Sequence, residues 1–292
     1  MIKKLISKGL NRIGVNPYHL LDSLFIPLDR KHIRRTRNIR LIPKENNRRG
    51  GKYSYAEWAH VIGIFQTMMF IHLRNKENNI ILDVGCGTGL LGIASEPFLG
   101  QDGKYFGIDV MKNDIDFCRS HFPSVNFEFI HFDVTNPAYA PAQKDAKSEW
   151  PVESESIDLV TALSVWTHLN EEDALFYFKE ISRVLKSDGK AIVTFFLLDE
   201  LYKKSLSMRS HQEGRYHMTF QDQWIFDQPS YGSDAWLHPK WAKIPESAIG
   251  VTNIGLDRLT SSTGLRLIDH HQGNWKEVPG AFFQDILIFE KA

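Results

Sequence analysis

The chain has 292 residues, 42% hydrophobic and 24% charged, a composition that is typical of a globular protein and excludes bulk disorder. Its net charge is zero, but residues 1–50 carry 13 basic residues against 3 acidic ones, with no aromatic-interleaved nucleic-acid motif beside them. The two cysteines, Cys86 and Cys118, form no disulfide framework. We therefore expect a cytoplasmic protein with no specific nucleic-acid partner.

The first 50 residues are predicted to form a basic extension ahead of a main domain at 51–292. Near one helical face of its start lie five apolar side chains, Ile2, Leu5, Ile6, Leu10 and Ile13. This amphipathic helix over residues 1–14 could make a weak peripheral contact with the inner face of an anionic membrane. Alternatively, the extension folds over the acidic body as a lid on the ligand site, and the pattern leaves both interpretations open.

From residue 54 the pattern predicts a regular alternation of helices and strands. An apolar helix runs from Ser54 to His72, with Ser54 as its N-cap, and its 13-residue apolar stretch is shorter than the roughly 20 residues that span a bilayer. Strands are predicted at 79–84, 104–110, 125–134, 156–166 and 187–198. Helices are predicted between them at 89–99, 113–122 and 170–186, with Asn113 and Asn170 as caps and Lys186 in the last turn. This alternation indicates a parallel sheet covered on both faces.

The C-terminal third interrupts the alternation and then restores it. Residues 199–250 are rich in aromatic side chains and are predicted to be an insert that binds the substrate. A helix at 252–264 follows, and then strands at 265–272 and 282–292 with no helix between them. The last two strands therefore predict an antiparallel addition at the sheet edge. The expected fold is α/β and doubly wound, with seven mostly parallel strands and one antiparallel edge strand.

The first predicted strand ends in an unusual loop, IILDVGCGTG, where Asp83 is followed by glycines at 85, 87 and 89. In an open α/β sheet, ligands bind beyond the carboxyl ends of the strands. Glycines let the backbone turn sharply and lie against such a ligand, and the helix that follows offers free N–H groups. The spacing matches neither the dinucleotide pattern GxGxxG nor the phosphate loop, because the third glycine comes early and no Gly-Lys-Ser/Thr follows.

The motif LDVGCGTG resembles the first motif of class I S-adenosylmethionine-dependent methyltransferases, an acid followed by Gly-x-Gly-x-Gly. The resemblance continues in order over residues 79–198, through GIDV, HFDV, IDLVTALSVWTHL and LKSDGKAIVTFF. It implies a Rossmann-like fold, S-adenosyl-L-methionine as the cofactor, and methyl transfer as the activity. More loosely, the chain resembles bacterial O-methyltransferases of glycan and secondary-metabolite gene clusters.

The resemblance also implies which residues hold the methionine end of the cofactor. Asp83 would bind its ammonium group, directly or through water. The loop that would pass under the methionine portion consists of Gly85, Cys86, Gly87, Thr88 and Gly89. Ser164, at the exit of the fourth strand, completes this part of the predicted site.

The nucleoside end of the cofactor would lie beside the second and third strands. Asp109 would accept hydrogen bonds from both ribose hydroxyls, for which a carboxylate is a natural bidentate acceptor. Val110 and Met111 would pack on the adenine face. Asp133 would accept from the adenine amino group, and the backbone N–H of Val134 would donate to a ring nitrogen.

The acceptor is less constrained by the sequence than the cofactor. His168, at the exit of the fourth strand, is the first candidate for a general base, and the insert offers Trp224 and Trp236 for stacking on the acceptor. Motifs of amino-methylating nucleic-acid enzymes, cytosine-C5 enzymes and metal-dependent catechol-type enzymes are absent, and no zinc-ligand quartet is present, so no metal is predicted.

We expect O-methylation of a sugar, a glycolipid or another small molecule. The alternatives are a protein or nucleic-acid methyltransferase, and a module that binds S-adenosylmethionine without catalysis. The sequence does not indicate an oligomeric state.

Overall fold

The computed structural model describes residues 37–50, 54–141 and 147–291, together with Pro27. The predicted amphipathic helix at 1–14 lies outside these residues. The α-helices are α1 (Tyr55–His72), α2 (Leu90–Ser95), α3 (Lys112–His121), α4 (Glu171–Val184), α5 (Glu200–Ser205) and α6 (Asn253–Ser261). None of the helices in the described ranges has the length and apolar character needed to cross a membrane.

The strands follow the predicted alternation closely. They are β1 (Ile80–Val84), β2 (Lys104–Asp109), β3 (Phe127–His131), β4 (Ile157–Ala162), β5 (Leu185–Leu198), β6 (Phe226–Pro229), β7 (Trp236–Pro239), β8 (Gly250–Thr252), β9 (Leu265–His271) and β10 (Asp285–Lys291). Apolar side chains fill both faces of the central sheet. One face packs against α4 and α6, and the other packs against α1, α2 and α3.

The central sheet has the strand order β3-β2-β1-β4-β5-β10-β9. Strands β1 to β5 are parallel, and β10 runs antiparallel to both β5 and β9. The α/β, doubly wound fold with an antiparallel addition at one edge is therefore confirmed, with β9 outermost and β10 as the antiparallel strand. The strand order reverses between β1 and β4, so their carboxyl ends flank the point where such sheets bind ligands.

The insert at 199–250 adds a second group of strands above that point. The last three residues of β5, Phe196–Leu198, pair in parallel with β8, and β7 and β6 follow in antiparallel order. These strands are three or four residues long, too short to show the alternation that identifies a strand in a sequence. The insert therefore builds a wall beyond the carboxyl end of β5.

Two predicted helix caps are present. The Ser54 hydroxyl accepts a hydrogen bond from the Glu57 N–H at 3.1 Å, and the Asn170 side chain accepts one from the Asp173 N–H at 3.0 Å. Each satisfies a backbone donor that the first helical turn leaves free.

Two details of helix boundaries were wrong. Asn113 is not the cap of α3, because the Met111 carbonyl already accepts from the N–H groups of Asp114 and Ile115 and starts the helix earlier. Lys186 is not in the last turn of α4, because the helix ends at Val184 and Lys186 lies in β5.

A buried ion network joins the end of β5, the start of β10 and the loop before it. Lys276 is fully buried, with its Nζ 2.8 Å from Asp199 Oδ2 and 2.7 Å from Asp285 Oδ1. Burial would raise the pKa of Asp285, but hydrogen bonds from His270 and Lys276 lower it instead, so the carboxylate is held ionised. Trp275 Nε1 donates to its other oxygen at 2.9 Å.

We predict that Asp285→Asn lowers the free energy of unfolding by about 3 kcal/mol or more, because it removes a partner from the buried Lys276 charge. Urea denaturation measures the loss. The control is Asp188→Asn, which breaks the exposed ion pair between Asp188 and Arg74 and should cost less than about 1 kcal/mol. Equal losses in the two variants would contradict the structural role of the network.

Candidate cofactor and acceptor site

A cavity of about 1370 Å³ lies at the carboxyl ends of the central strands. Its lining runs from the glycine loop after β1, past the end of β2 and the exit of β4, to the insert and the loop before β10. Typical ligand pockets measure roughly 300–1,000 Å³. The cavity therefore has room for a cofactor and an acceptor together.

The glycine loop at one end of the cavity needs its glycines. Gly85, Gly87 and Gly89 have φ values of 68°, 51° and 87°, in the left-handed region that side chains disfavour. A Cβ on Gly85 would lie 2.5 Å from a methyl of Val165, and one on Gly89 would lie 2.5 Å from the ring of Phe122. The loop is thus a backbone surface that side chains would distort.

Asp109 connects the glycine loop to the end of β2. One of its oxygens accepts from the Gly87 N–H at 2.7 Å, and the other accepts from the Met111 N–H at 2.8 Å. Burial raises the pKa of Asp109. Each carboxylate oxygen keeps a further lone pair, so a diol could still bind there. Val110 and Met111, predicted to pack on adenine, line the cavity next to it.

Asp83 lies at the base of the loop and is buried. The Tyr105 hydroxyl donates to one of its oxygens at 2.5 Å, and the Thr161 hydroxyl donates to the other at 2.9 Å. Burial raises its pKa to about 7. Cys86 lines the cavity nearby, and burial raises the pKa of its thiol, which disfavours the nucleophilic thiolate.

The end of the basic extension covers the glycine loop. Thr88 donates to the Asn47 carbonyl at 2.5 Å, and Arg49 binds Asp114, at the start of α3, with a shortest distance of 2.6 Å. Ile42 is fully buried in the core beside α1 and α2. Residues 37–50 are thus part of the folded domain, in a position that fits a lid.

Asp133 lies outside the cavity, contrary to its predicted contact with adenine. Its side chain is exposed and is not among the residues that line the cavity. The N–H of Val134 donates to the Phe132 carbonyl at 2.9 Å, which forms a tight turn centred on Asp133 and occupies the donor predicted for the adenine ring. Phe132, Val134 and Thr135 line this part of the cavity instead.

Ser164 stands at the middle of the cavity in a left-handed conformation, with a φ of 61°. Its N–H donates to Thr194 Oγ1 at 2.7 Å, and its hydroxyl accepts from Gln284 Nε2 at 2.8 Å. Thr194 in turn donates to Gln284 Oε1 at 2.7 Å. This closed network holds a conformation that costs about 1–3 kcal/mol. Thr194 and Gln284 were missed in the sequence because both lie within or beside apolar strand patterns.

His168 lines the cavity between two fixed partners. Its Nδ1 is 2.7 Å from the Glu246 carbonyl, which can only accept, so Nδ1 carries the proton in the neutral ring. Nε2 is then the acceptor and lies 3.1 Å from the Tyr139 hydroxyl. Burial lowers the pKa of His168, which keeps the ring neutral at pH 7.

The far half of the cavity has an aromatic wall. Its aromatic side chains come from β5, the insert and the loop before β10, and they are Phe196, Tyr216, Trp224, Phe282 and Phe283, with Met218 beside them. Trp236, predicted to stack on the acceptor, is instead fully buried in the main core because β7 pairs with β8 above α6.

His217 is a further cavity residue, and its partner could not be identified from the sequence. Its Nε2 lies 2.7 Å from Glu277 Oε1, and both side chains are buried. Its Nδ1 lies 2.8 Å from the Thr219 hydroxyl, which also accepts from Trp224 Nε1 at 2.7 Å. Both ring nitrogens are therefore engaged in holding the aromatic wall.

The fold and the cavity define a doubly wound α/β protein with a cofactor site at its switch point. Residues 82–193 match the family model described as a methyltransferase domain. This match and the strand topology confirm the resemblance: the segment is a class I S-adenosylmethionine-dependent methyltransferase domain, and S-adenosylmethionine is its cofactor.

Similar proteins include several methyltransferases. A malonyl-[acyl-carrier protein] O-methyltransferase from Acetivibrio thermocellus is 29% identical over 134 residues, 40% of this chain and 46% of that protein. A demethylmenaquinone methyltransferase from Lactobacillus johnsonii is 32% identical over 121 residues, 41% of this chain and 45% of that protein. The chain thus spans less than half the length of these curated relatives.

A solved structure from Pyrococcus horikoshii shares the fold. It aligns with 81% of this chain and 92% of its own length, with a TM-score of 0.50 and 17% sequence identity.

We predict that Asp109→Ala weakens S-adenosylmethionine binding by about 1.5–3 kcal/mol for each charge-assisted hydrogen bond that is lost. Calorimetry on the mutant and the parent measures the change. Asp133→Ala is the matched control, because its exposed side chain should leave the affinity unchanged. Unchanged affinity in Asp109→Ala, or a large loss in Asp133→Ala, would contradict this assignment.

Proposed function

We propose that the protein transfers a methyl group from S-adenosylmethionine to a hydroxyl of a small molecule or glycan bound in the far half of the cavity. The observation that carries this proposal is the continuity of one cavity from the glycine loop, past Ser164 and His168, to the aromatic wall. A module that only binds the cofactor would not need the second half.

Positioning supplies most of the catalysis in this proposal. The sulfonium cofactor is already activated, and holding a hydroxyl in line with its methyl group can contribute about 7–11 kcal/mol. His168 would accept the hydroxyl proton at Nε2, with Nδ1 held by the Glu246 carbonyl. Such a base contributes about 10²–10⁴-fold to the rate. The Tyr139 hydroxyl now near Nε2 marks where the acceptor hydroxyl would lie.

The shape and chemistry of the far half favour an acceptor with a ring or another flat apolar face. Trp224 and Phe283 have ring centroids 5.1 Å apart at 71°, and Trp224 and Phe196 are 5.0 Å apart. Aromatic faces stack well on sugar rings and on planar groups. The names of the two relatives give different acceptors, an acyl-carrier-bound malonyl group and a menaquinone precursor. The proposed acceptor class is therefore argued from the residues that line the cavity.

The test of the proposed function uses methyl-labelled S-adenosylmethionine and a fractionated cell extract. We expect label in a small-molecule or glycan fraction, identified by mass spectrometry, with matching release of S-adenosylhomocysteine. Label only in protein or nucleic acid would replace the proposed acceptor class. Cofactor binding without any transfer across all fractions would instead favour a non-catalytic module.

We predict that His168→Gln lowers methyl transfer by about 10²–10⁴-fold and leaves cofactor affinity unchanged. The parent rate should stay level near neutral pH and fall only as the pH drops below the lowered pKa of His168, because the protonated ring cannot accept a proton. Steady-state rates across pH on both proteins measure this. His211→Gln, at an exposed ring outside the cavity, is the control. A full rate in His168→Gln would mean that His168 only orders the loop.

A further inference from the structure

Three side chains of types that ligate metals, one from α1 and two from β9, meet at the outer edge of the sheet. His72 ends α1, and Asp269 and His271 lie in β9. Because alternate residues of a strand face the same side, the two β9 residues both face α1. Asp269 Oδ2 lies 3.6 Å from His72 Nε2 and 3.2 Å from His271 Nε2, and the three ligand atoms lie within 4.8 Å of one another.

Each of the two imidazoles has a nitrogen atom without a hydrogen-bond partner among the described residues. These atoms are Nε2 of His72, a side chain that is 8% exposed, and Nε2 of His271. A buried polar atom of this kind is rare, because leaving it unsatisfied costs about 1–3 kcal/mol.

We propose that His72, Asp269 and His271 bind one zinc ion, with water as the fourth ligand, and that this ion fastens α1 to the edge strand β9. Two imidazole nitrogens and a carboxylate oxygen are common zinc ligands. Ligand bonds of about 2.0–2.2 Å in a tetrahedron separate neighbouring ligand atoms by roughly 3.3–3.6 Å. The observed separations of 3.2 and 3.6 Å are close to that range.

Charges of both signs act on the cluster. The Asp269 carboxylate, itself one of the three ligands, attracts a cation, whereas the ammonium groups of Lys190 and Lys76 oppose one. None of the three ligands lines the large cavity, so the site is separate from methyl transfer. In this proposal the ion links β9 to α1, which lines the cavity through Glu57, Trp58 and Val61 near its other end.

The experiment titrates zinc into the full chain, after chelator treatment, in competition with a chromophoric zinc chelator. The parent should take up one zinc equivalent. The variants His271→Ala and Asp269→Asn should bind that zinc at least about tenfold more weakly, because even changes in residues around the ligands of a zinc site reduce its affinity by that factor. Zinc should also raise the Tm of the parent but not of the two variants. His211→Ala, which removes an exposed histidine elsewhere, should behave as the parent.

Comparison with the variants makes the result specific, because other histidines of the chain could also bind zinc. Parent-like uptake and Tm shift in both His271→Ala and Asp269→Asn would overturn the proposal, as would a parent that takes up no zinc. The buried His72 is a less secure target, because His72→Ala also removes packing. His271 and Asp269 are only partly buried, so their variants should fold and carry the test.

Discussion

A carboxylate buried at the end of β1 is the constraint on which the cofactor half of the cavity depends. Asp83 is 1% exposed and accepts hydrogen bonds from Tyr105 and Thr161, yet its pKa is raised to about 7 because burial outweighs those bonds. A buried charge is costly unless it is paired. The cofactor ammonium predicted to bind there would supply the missing partner and hold the carboxylate ionised.

The two halves of the cavity are held by different means. Backbone forms part of the cofactor half, where the left-handed Gly85 and Gly87 place no side chain against a ligand. Side chains form the far half, and between the two halves Gln284, Thr194 and Ser164 bind one another and fix the floor. The ion network of Lys276 and Asp285 then anchors the segment that leads into that floor. A backbone surface suits an invariant cofactor, whereas a side-chain surface can be adapted to an acceptor.

The sequence was sufficient for the central fold because its signals are local. Buried parallel strands appear as continuous apolar runs, and Ser54 and Asn170 mark helix starts by side-chain hydrogen bonds to nearby N–H groups. Features without a strong local signal could not be predicted from the sequence. The turn that directs Asp133 outward depends on a single backbone hydrogen bond, and the strands of the insert are too short to show a period.

Contacts between distant segments could not be predicted from the sequence for a different reason. His217 and Glu277, and likewise Ser164 and Gln284, come together only through the pairing of β10 with β5 and the folding of the insert over it. No spacing in the chain identifies such partners, because a hydrogen bond across the fold carries no periodic pattern. Candidate cofactor residues are easier to predict, since most follow directly after a strand that ends at the switch point.

At the cavity, a basic residue of the extension pairs with an acidic residue of the main domain. Within the basic extension, Arg49 uses its charge on Asp114, whose side chain is buried. Three hydrogen bonds join the two groups. This partly buried pair should therefore contribute more to stability than the about 0–1 kcal/mol that is typical of a surface ion pair. Both residues line the cavity. Part of the positive charge of the extension therefore serves to hold it across the cofactor loop of its own acidic domain.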